Sequence, residues 1–471
     1  MSWLLEQCNV NPDSNYIQSD KISRTYYELN EMVQVYAQSL IRENIKFQDI
    51  VLIVLDSDID LVEIIFSCFE IGAIALPISP IFKKNEFDNI INNVKPEIII
   101  TKWKYKSQFL HRLEPVSYIE ELPQASRGCA IIKNIYVKNL DHIAAIILTS
   151  GTTGIPKAVQ LTYGNFEKSC NNWHDFLNFR NTDQFLCCLP LYHIGGLAVL
   201  IRAVIYGFSV NLIKHFEPRT ILVAMQQCPV TIISLVPTMI KRIIEIDGGI
   251  DILKFLRWIL LGGGPSPEKL LNICIQNKLN IVKVYGMTET CSGTIGMKLL
   301  EEPENKLYAG RPFSDTKVWS KNDELFFSGP MVMRGYLGED DSNSVHNSHD
   351  LGYIDKDKNN LVYLDTRRKD LIVTGGKNVN PIEVEERLVE IEEILDAAVV
   401  PIQDDEWGQI VAAYIVGFDN KLISSNYLRK ILEEKLSSFK IPKKFIQISF
   451  IPRNEIGKIQ YSKLEENKLQ K

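Results

Sequence analysis

Apolar, β-branched runs alternate with helix-patterned segments along the first three-quarters of this chain. Residues 49–55 form such a run, and 59–71 then carry apolar residues at helical spacing. Residues 74–78 and 97–101 read as further strands, with a helix at 84–94 between them. Downstream, 184–189, 209–213, 231–236, 258–261 and 281–284 read as buried strands, and 195–206, 218–227 and 267–277 as helices. This alternation predicts an α/β fold of parallel sheets covered by helices. Ligands in such folds bind at the carboxyl ends of strands. Residues 149–157 and the run Gly262-Gly263-Gly264 sit at two of those ends.

The texture changes around residue 350. Short strands at 324–328, 353–355 and 361–364 are separated by polar turns, and a polar stretch follows at 365–370. The tail beyond it has its own helices, 382–391 and 426–437, and strands, 397–402 and 411–416. That is enough for a small independent domain. The expected division is 1–368 and 369–471, with a hinge at Lys369.

Bulk properties narrow the function. A chain of 471 residues implies more than one core. A net charge of −6 with scattered lysines gives no basis for nucleic-acid binding. No apolar run reaches the roughly 20 residues of a membrane span. The first residues lack a basic region followed by an apolar core, so a secretory leader is not expected. The nine cysteines are odd in number and irregularly spaced. That predicts neither a disulfide framework nor a zinc site, and points to a reduced compartment.

One loop carries the clearest chemistry. It reads Thr149-Ser150-Gly151-Thr152-Thr153-Gly154-Ile155-Pro156-Lys157 and follows the apolar run 142–148. Glycines let the backbone approach a ligand, and N–H groups, hydroxyls and a cation suit a polyphosphate. A Walker A loop is excluded. It needs the lysine directly after the last glycine, and here Ile155 and Pro156 intervene while Ala158 replaces the metal-binding hydroxyl. Taken alone, the segment reads equally well as an ordinary Ser/Thr/Gly turn.

Four further clusters decide between these. They are Tyr285-Gly286-Met287-Thr288-Glu289-Thr290, Asp350, the run Arg367-Arg368-Lys369-Asp370-Leu371-Ile372-Val373-Thr374-Gly375-Gly376, and Gly457-Lys458. With the loop in front, this ordered set resembles the adenylate-forming superfamily of acyl- and aryl-CoA ligases, adenylation domains and luciferases. The resemblance covers nearly the whole chain. It implies a large N-terminal domain of stacked α/β subdomains and a small mobile α+β C-terminal domain. It also implies an AMP-forming ligase using ATP, Mg²⁺ and CoA. A carboxylate attacks the α-phosphate of ATP, and a thiol then displaces AMP.

The family's roles carry over residue by residue. Thr149, Ser150, Gly151, Thr152, Thr153, Gly154 and Lys157 hold the β- and γ-phosphates. Glu289 is the Mg²⁺ ligand, and Thr288 donates to the α-phosphate. Tyr285 stacks on adenine beside Gly263 and Gly264. Asp350 accepts from the ribose hydroxyls with Arg367 assisting. Gly375, Gly376 and Lys377 face CoA. Lys458 bridges carboxylate and phosphate in the first step, where a fixed cation stabilises the developing charge. Taken singly, each has a plainer reading: a turn aspartate, a core tyrosine, a helix-start glutamate or solvated lysines.

Two departures stand out. His349 occupies a position where the family has glycine, so a different local backbone is expected there. Lys377 replaces an acidic residue.

The stretch Leu189-Pro190-Leu191-Tyr192-His193-Ile194-Gly195-Gly196-Leu197, with Arg202, Ser234 and Gly262, resembles one subgroup, the o-succinylbenzoate–CoA ligases of menaquinone and phylloquinone synthesis. That acid has two carboxylates, and the one left unactivated needs a cation or several donors. Arg202 is the matching candidate, and His193 a gate between half-reactions. A helix-surface arginine and a packed histidine are the plainer alternatives. Other readings are a medium-chain fatty-acid or aromatic acyl-CoA ligase, a free-standing adenylation enzyme, and an inactive scaffold. The expected setting is the cytoplasm or a plastid stroma, without nucleic acid or a membrane span. Oligomeric state stays open, a homodimer included.

Overall fold

The computed structural model describes residues 2–19, 22–82, 84–109, 114–122, 139–149, 156–339, 345–367, 371–374, 377–404, 407–418, 422–454, 457, 459–460 and 463–464. Two compact units emerge. The first comprises 1–318, 327–346 and 356–362; the second comprises 319–326, 347–355 and 363–471.

The first unit contains two large sheets. A seven-stranded sheet runs in the order Gly335–Tyr336, Lys157–Thr162, Ile143–Thr149, Ile74–Ile78, Ile50–Val54, Ile98–Thr101 and Val116–Tyr118. Its central strands are parallel and buried apart from Ile50 at one strand end, which is why they read as unbroken apolar runs. The crossover helix Ile59–Ile71 starts on the Asp58 cap and stops at Gly72, where φ is +71.

A nine-stranded sheet orders Arg311–Pro312, Ser292–Lys298, Ile281–Met287, Trp258–Leu261, Ile232–Leu235, Gln184–Cys187, Ser209–Leu212, Asn15–Gln18 and Ser23–Thr25. Its five middle strands, 184–187 through 281–287, are parallel, and antiparallel pairs close both edges. The helices Ile194–Tyr206, Pro218–Gln227 and Glu268–Gln276 lie within one or two residues of their sequence-predicted bounds.

The helix Tyr26–Arg42 was not anticipated. Its start is a capping box: Thr25 accepts from the Glu28 amide, and the Glu28 carboxylate accepts from the Thr25 amide.

In the second unit, Gly408–Gly417 pairs antiparallel with Ile394–Asp404 and parallel with Lys444–Gln447. The helices Pro381–Val389 and Ser425–Glu433 contribute Val384, Leu388, Leu428 and Leu432 to its core. Among the described residues no helix is long and apolar enough to cross a membrane.

Candidate active site

The strand Ile281–Met287 ends the parallel run of the nine-stranded sheet. Its register against Ser292–Lys298 shifts between Tyr285 and Gly286. Such irregularities re-aim side chains next to active sites. Only glycine fits at 286, because a Cβ would stand 2.2 Å from the Ser292 carbonyl oxygen. The turn Thr288–Thr290 follows. The buried Thr290 hydroxyl accepts from the Met287 amide at 3.0 Å and lies 2.9 Å from the Ser292 carbonyl. Cys291 and Ser292 sit at φ +51 and +94, where side-chain-bearing residues are uncommon. The Ser169 hydroxyl holds this turn by donating to the Cys291 carbonyl at 2.6 Å. Thr288 and Glu289 are therefore presented, half-buried, on a tightly constrained turn.

Glu289 is the meeting point. The Tyr336 hydroxyl donates to its Oε1 at 2.9 Å. The Lys157 ammonium lies 4.2 Å from the centre of the Tyr336 ring, within cation–π range. The short strand Gly335–Tyr336 pairs with Lys157–Thr162, with Tyr336 opposite Val159. Sheet register thus places the phenol between the lysine and the carboxylate. Tyr336 was missed from sequence: it stands 47 residues beyond Glu289 with no periodic pattern around it.

Thr149 and Lys157 face each other across the hairpin, the Thr149 hydroxyl donating to the Lys157 carbonyl at 3.4 Å. Ser150, Gly151, Thr152, Thr153 and Gly154 lie outside the described residues.

The candidates for the acid lie on neighbouring elements. His193 occupies the N-cap of Ile194–Tyr206 in extended conformation, its ring edge-on to Tyr192 at 5.2 Å. Arg202, on the same helix, is fully buried rather than at the surface. Its Nη2 donates to the Ser292 hydroxyl at 2.9 Å, and its guanidinium lies 4.4 Å from the Trp173 ring. Among the described residues it has no carboxylate partner, and its Nε has no hydrogen-bond partner. Burial pushes its pKa down to about 10. Ser292 therefore joins Arg202 to the turn that carries Thr288 and Glu289.

Ser234 and Gly262 lie at the carboxyl edge of adjacent parallel strands, where the Gly262 amide donates to the Leu235 carbonyl at 3.2 Å. Gly263, at φ +81, and Gly264 are exposed beyond it. The Tyr285 ring centre lies 5.8 Å from that of Phe327.

In the second unit Asp350 is buried on Val345–Asp355. Its amide donates to the Ser348 hydroxyl at 3.1 Å, and that hydroxyl donates to the Leu325 carbonyl at 2.8 Å. His349 sits at φ +57. The histidine has thus not removed the left-handed backbone that a glycine would favour. Histidine is among the side chains found there more often than most. Its amide donates to Asn347 Oδ1 at 2.9 Å. Arg367 ends the strand Leu361–Arg367; its side chain lies outside the described residues. Lys377 opens Lys377–Val379, its ammonium 4.6 Å from the Phe439 ring centre. Lys369, Gly375, Gly376 and Lys458 also lie outside the described residues.

The profile of the AMP-binding enzyme family matches residues 4–337, and that of its C-terminal domain matches 383–458. This chain belongs to the AMP-binding enzyme family. Two curated members similar to it are 2-succinylbenzoate–CoA ligases. The one from Bacillus mycoides is 30% identical, covering 97% of this chain and 96% of the relative. The one from Oceanobacillus iheyensis is 31% identical, covering 97% of each. Among solved structures, the Bacillus subtilis o-succinylbenzoate CoA synthetase in complex with its acyl-adenylate intermediate superposes with a TM-score of 0.90 at 29% identity, covering 100% of this chain and 99% of that one. The same enzyme with ATP and magnesium gives 0.88 at 29% identity, covering 98% and 99%.

In this AMP-binding enzyme, Lys157, Glu289 and the unforeseen Tyr336 form one contact chain. Arg202 reaches the neighbouring turn through Ser292. Among the described residues no cluster of three or more His, Cys, Asp or Glu side chains is arranged to hold a metal by itself.

Proposed function

We propose that this chain is an AMP-forming ligase that converts 2-succinylbenzoate, ATP and CoA into 2-succinylbenzoyl-CoA, AMP and pyrophosphate, a step of menaquinone or phylloquinone synthesis. A carboxylate oxygen attacks the α-phosphorus, and pyrophosphate leaves. The CoA sulfur then attacks the acyl carbon, losing its proton, and AMP departs with the carboxylate oxygen. The similarity to named ligases along 97% of the chain supports the reaction. The observation that carries the acid's identity is Arg202. A fully buried cation without a carboxylate partner among the described residues is costly, and the second carboxylate of this acid supplies the missing charge.

The remaining assignments follow the same reading. Thr149, Ser150, Gly151, Thr152, Thr153 and Gly154 cradle the terminal phosphates, with Lys157 as a point charge. A single carboxylate, Glu289, suits a Mg²⁺ ion bound largely by phosphate oxygens. When bound, that ion neutralises phosphate charge. Tyr336 orients the Glu289 carboxylate through its hydroxyl. Thr288 donates to the α-phosphate. Tyr285 faces adenine beside Gly263 and Gly264, and Asp350 with Arg367 binds the ribose. Ser234, Gly262 and His193 line the acid, and His193 gates it. Gly375, Gly376 and Lys377 receive CoA after residues 369–471 turn about Lys369. Lys458 supplies the cation of the first step. The setting in this reading is the cytoplasm or a plastid stroma.

The test is a substrate panel. Purified protein with ATP, Mg²⁺ and CoA is expected to form the 2-succinylbenzoyl thioester, detected by mass, faster than thioesters of octanoate or 4-coumarate. Faster turnover of either alternative would reject the acid while leaving the family intact.

A further inference from the structure

The chain on either side of position 458 is held within the second unit. Gly457 sits at φ +75, and its amide donates to the Asn454 carbonyl at 2.9 Å. Its own carbonyl accepts from Arg453 Nη1 at 3.1 Å. On the far side, Ile459 bridges antiparallel to Arg453, and the Gln460 amide donates to the Pro452 carbonyl at 2.8 Å. The Ile459 side chain packs on an apolar cluster that includes Tyr414, Ile448 and Ile451.

The Arg453 guanidinium is itself tied down. Its Nη2 donates to both Asp396 oxygens, at 2.9 and 3.1 Å. Asp396 stands at a register shift in the strand Ile394–Asp404, and its Oδ1 also accepts from the Ala397 amide at 2.9 Å. Glu385, on the neighbouring helix Pro381–Val389, adds a second carboxylate that interacts with the same guanidinium. It is fixed by accepting from the Val399 amide at 2.8 Å. One side chain thus joins a sheet and a helix to the carbonyl that precedes position 458.

We infer that Arg453, locked by Asp396, is a positioning residue for the adenylation half-reaction: it fixes the Gly457 carbonyl, one residue before Lys458. This rests on the role given to Lys458 above. Arg453 acts through the backbone and not on the reacting atoms. Arginine suits the task because its planar fork reaches a carboxylate and a carbonyl at once, which the compact ammonium of lysine does less well. The network is partly exposed, with Arg453 and Asp396 side chains 26% and 34% accessible. Such pairs contribute little to folding, so loss of this one is expected to act on catalysis more than on stability. Misplacing a catalytic group by about 1 Å costs up to about 10²-fold in rate.

Two assays separate this from a general structural role. One is acid-dependent ATP–pyrophosphate exchange. The other is thioester formation from CoA and the chemically prepared acyl-adenylate of 2-succinylbenzoate, a step that does not use Lys458. In Arg453→Ala the exchange kcat is expected to fall by about tenfold to a hundredfold with KM for ATP unchanged. Arg453→Lys recovers part of the loss, Asp396→Asn falls between, and all three keep the wild-type rate from the adenylate. Equal losses in both assays, or wild-type exchange in Arg453→Ala, overturn the inference. If Arg453→Ala does not fold, the same two assays on Asp396→Asn decide in its place. A wild type that exchanges with no acid defeats the functional reading itself, and the inference with it.

Discussion

Two segments that flank residues of the proposed site are built by opposite means. The turn at 285–293 is held by volume. Gly286 and Gly293 lie where a Cβ would come within 2.2 Å of Ser292 O and 2.3 Å of Val284 Cγ1. Two successive side-chain-bearing residues take positive φ there, and the supporting Arg202 and Trp173 are fully buried. The contact between Arg453 and Gly457 is held by charge. Arg453 and Asp396 remain partly exposed, and one guanidinium reaches one carbonyl. The first arrangement permits a single geometry with almost no slack. The second keeps its geometry through a few charge-assisted hydrogen bonds that solvent can compete with.

The largest effect is expected at Arg202. Arg202→Met is expected to raise the KM for 2-succinylbenzoate by about tenfold to a hundredfold, the value of a charge-assisted hydrogen bond. An analogue lacking the aromatic carboxylate should be little affected. The melting temperature should change little, because a buried cation without a carboxylate partner among the described residues is replaced by an apolar chain that can still pack on Trp173. Equal KM changes for both acids would remove Arg202 from the pocket.

Stability separates the two turns next. Gly293→Ala should cost about 1–3 kcal/mol, since Val284 and Trp173 have no room to yield. Asp396→Asn should cost under about 1 kcal/mol. Urea denaturation of both variants checks this, and similar costs would erase the contrast.

Tyr336→Phe sharpens the first turn further. It keeps the ring beneath Lys157 but removes the hydrogen bond to Glu289. The Mg²⁺ concentration for half-maximal adenylation should rise about tenfold, with KM for the acid unchanged.

The smallest effect on activity is expected at Glu63, far from both turns. It is buried against Arg24 at 3.2 Å. Burial raises its pKa from 4.5 to about 7, opposed by Arg24 and reinforced by Asp60 and Asp58. A carboxyl raised in the folded state contributes stability below pH 4.5 that is lost as pH rises through about 7. Glu63→Gln should therefore flatten the fall in melting temperature between pH 5 and pH 8, as scanning calorimetry would report.

Much of this was legible in the sequence. The parallel strands announced themselves because both their faces are buried, leaving unbroken runs such as Ile50–Val54. The family was legible because its motifs occur as an ordered set. The helix Tyr26–Arg42 went unread although its Thr25–Glu28 capping box is written in the chain. Other features depend on distant contacts. Arg202 was legible as a candidate for the acid beside a helix-surface alternative, and its burial depends on distant residues such as Trp173 and Ser292, the latter 90 residues away. Tyr336 acquires its meaning from pairing with the strand after the Gly-rich loop. The Arg453–Asp396 contact spans 57 residues, and nothing local marks it.

The central claim is that the acid is activated as an adenylate, and an oxygen label tests it most directly. With 2-succinylbenzoate labelled with ¹⁸O in its succinyl carboxylate, one labelled oxygen should appear in AMP for each thioester formed. Label recovered in inorganic phosphate, or AMP free of label while thioester accumulates, would contradict the account.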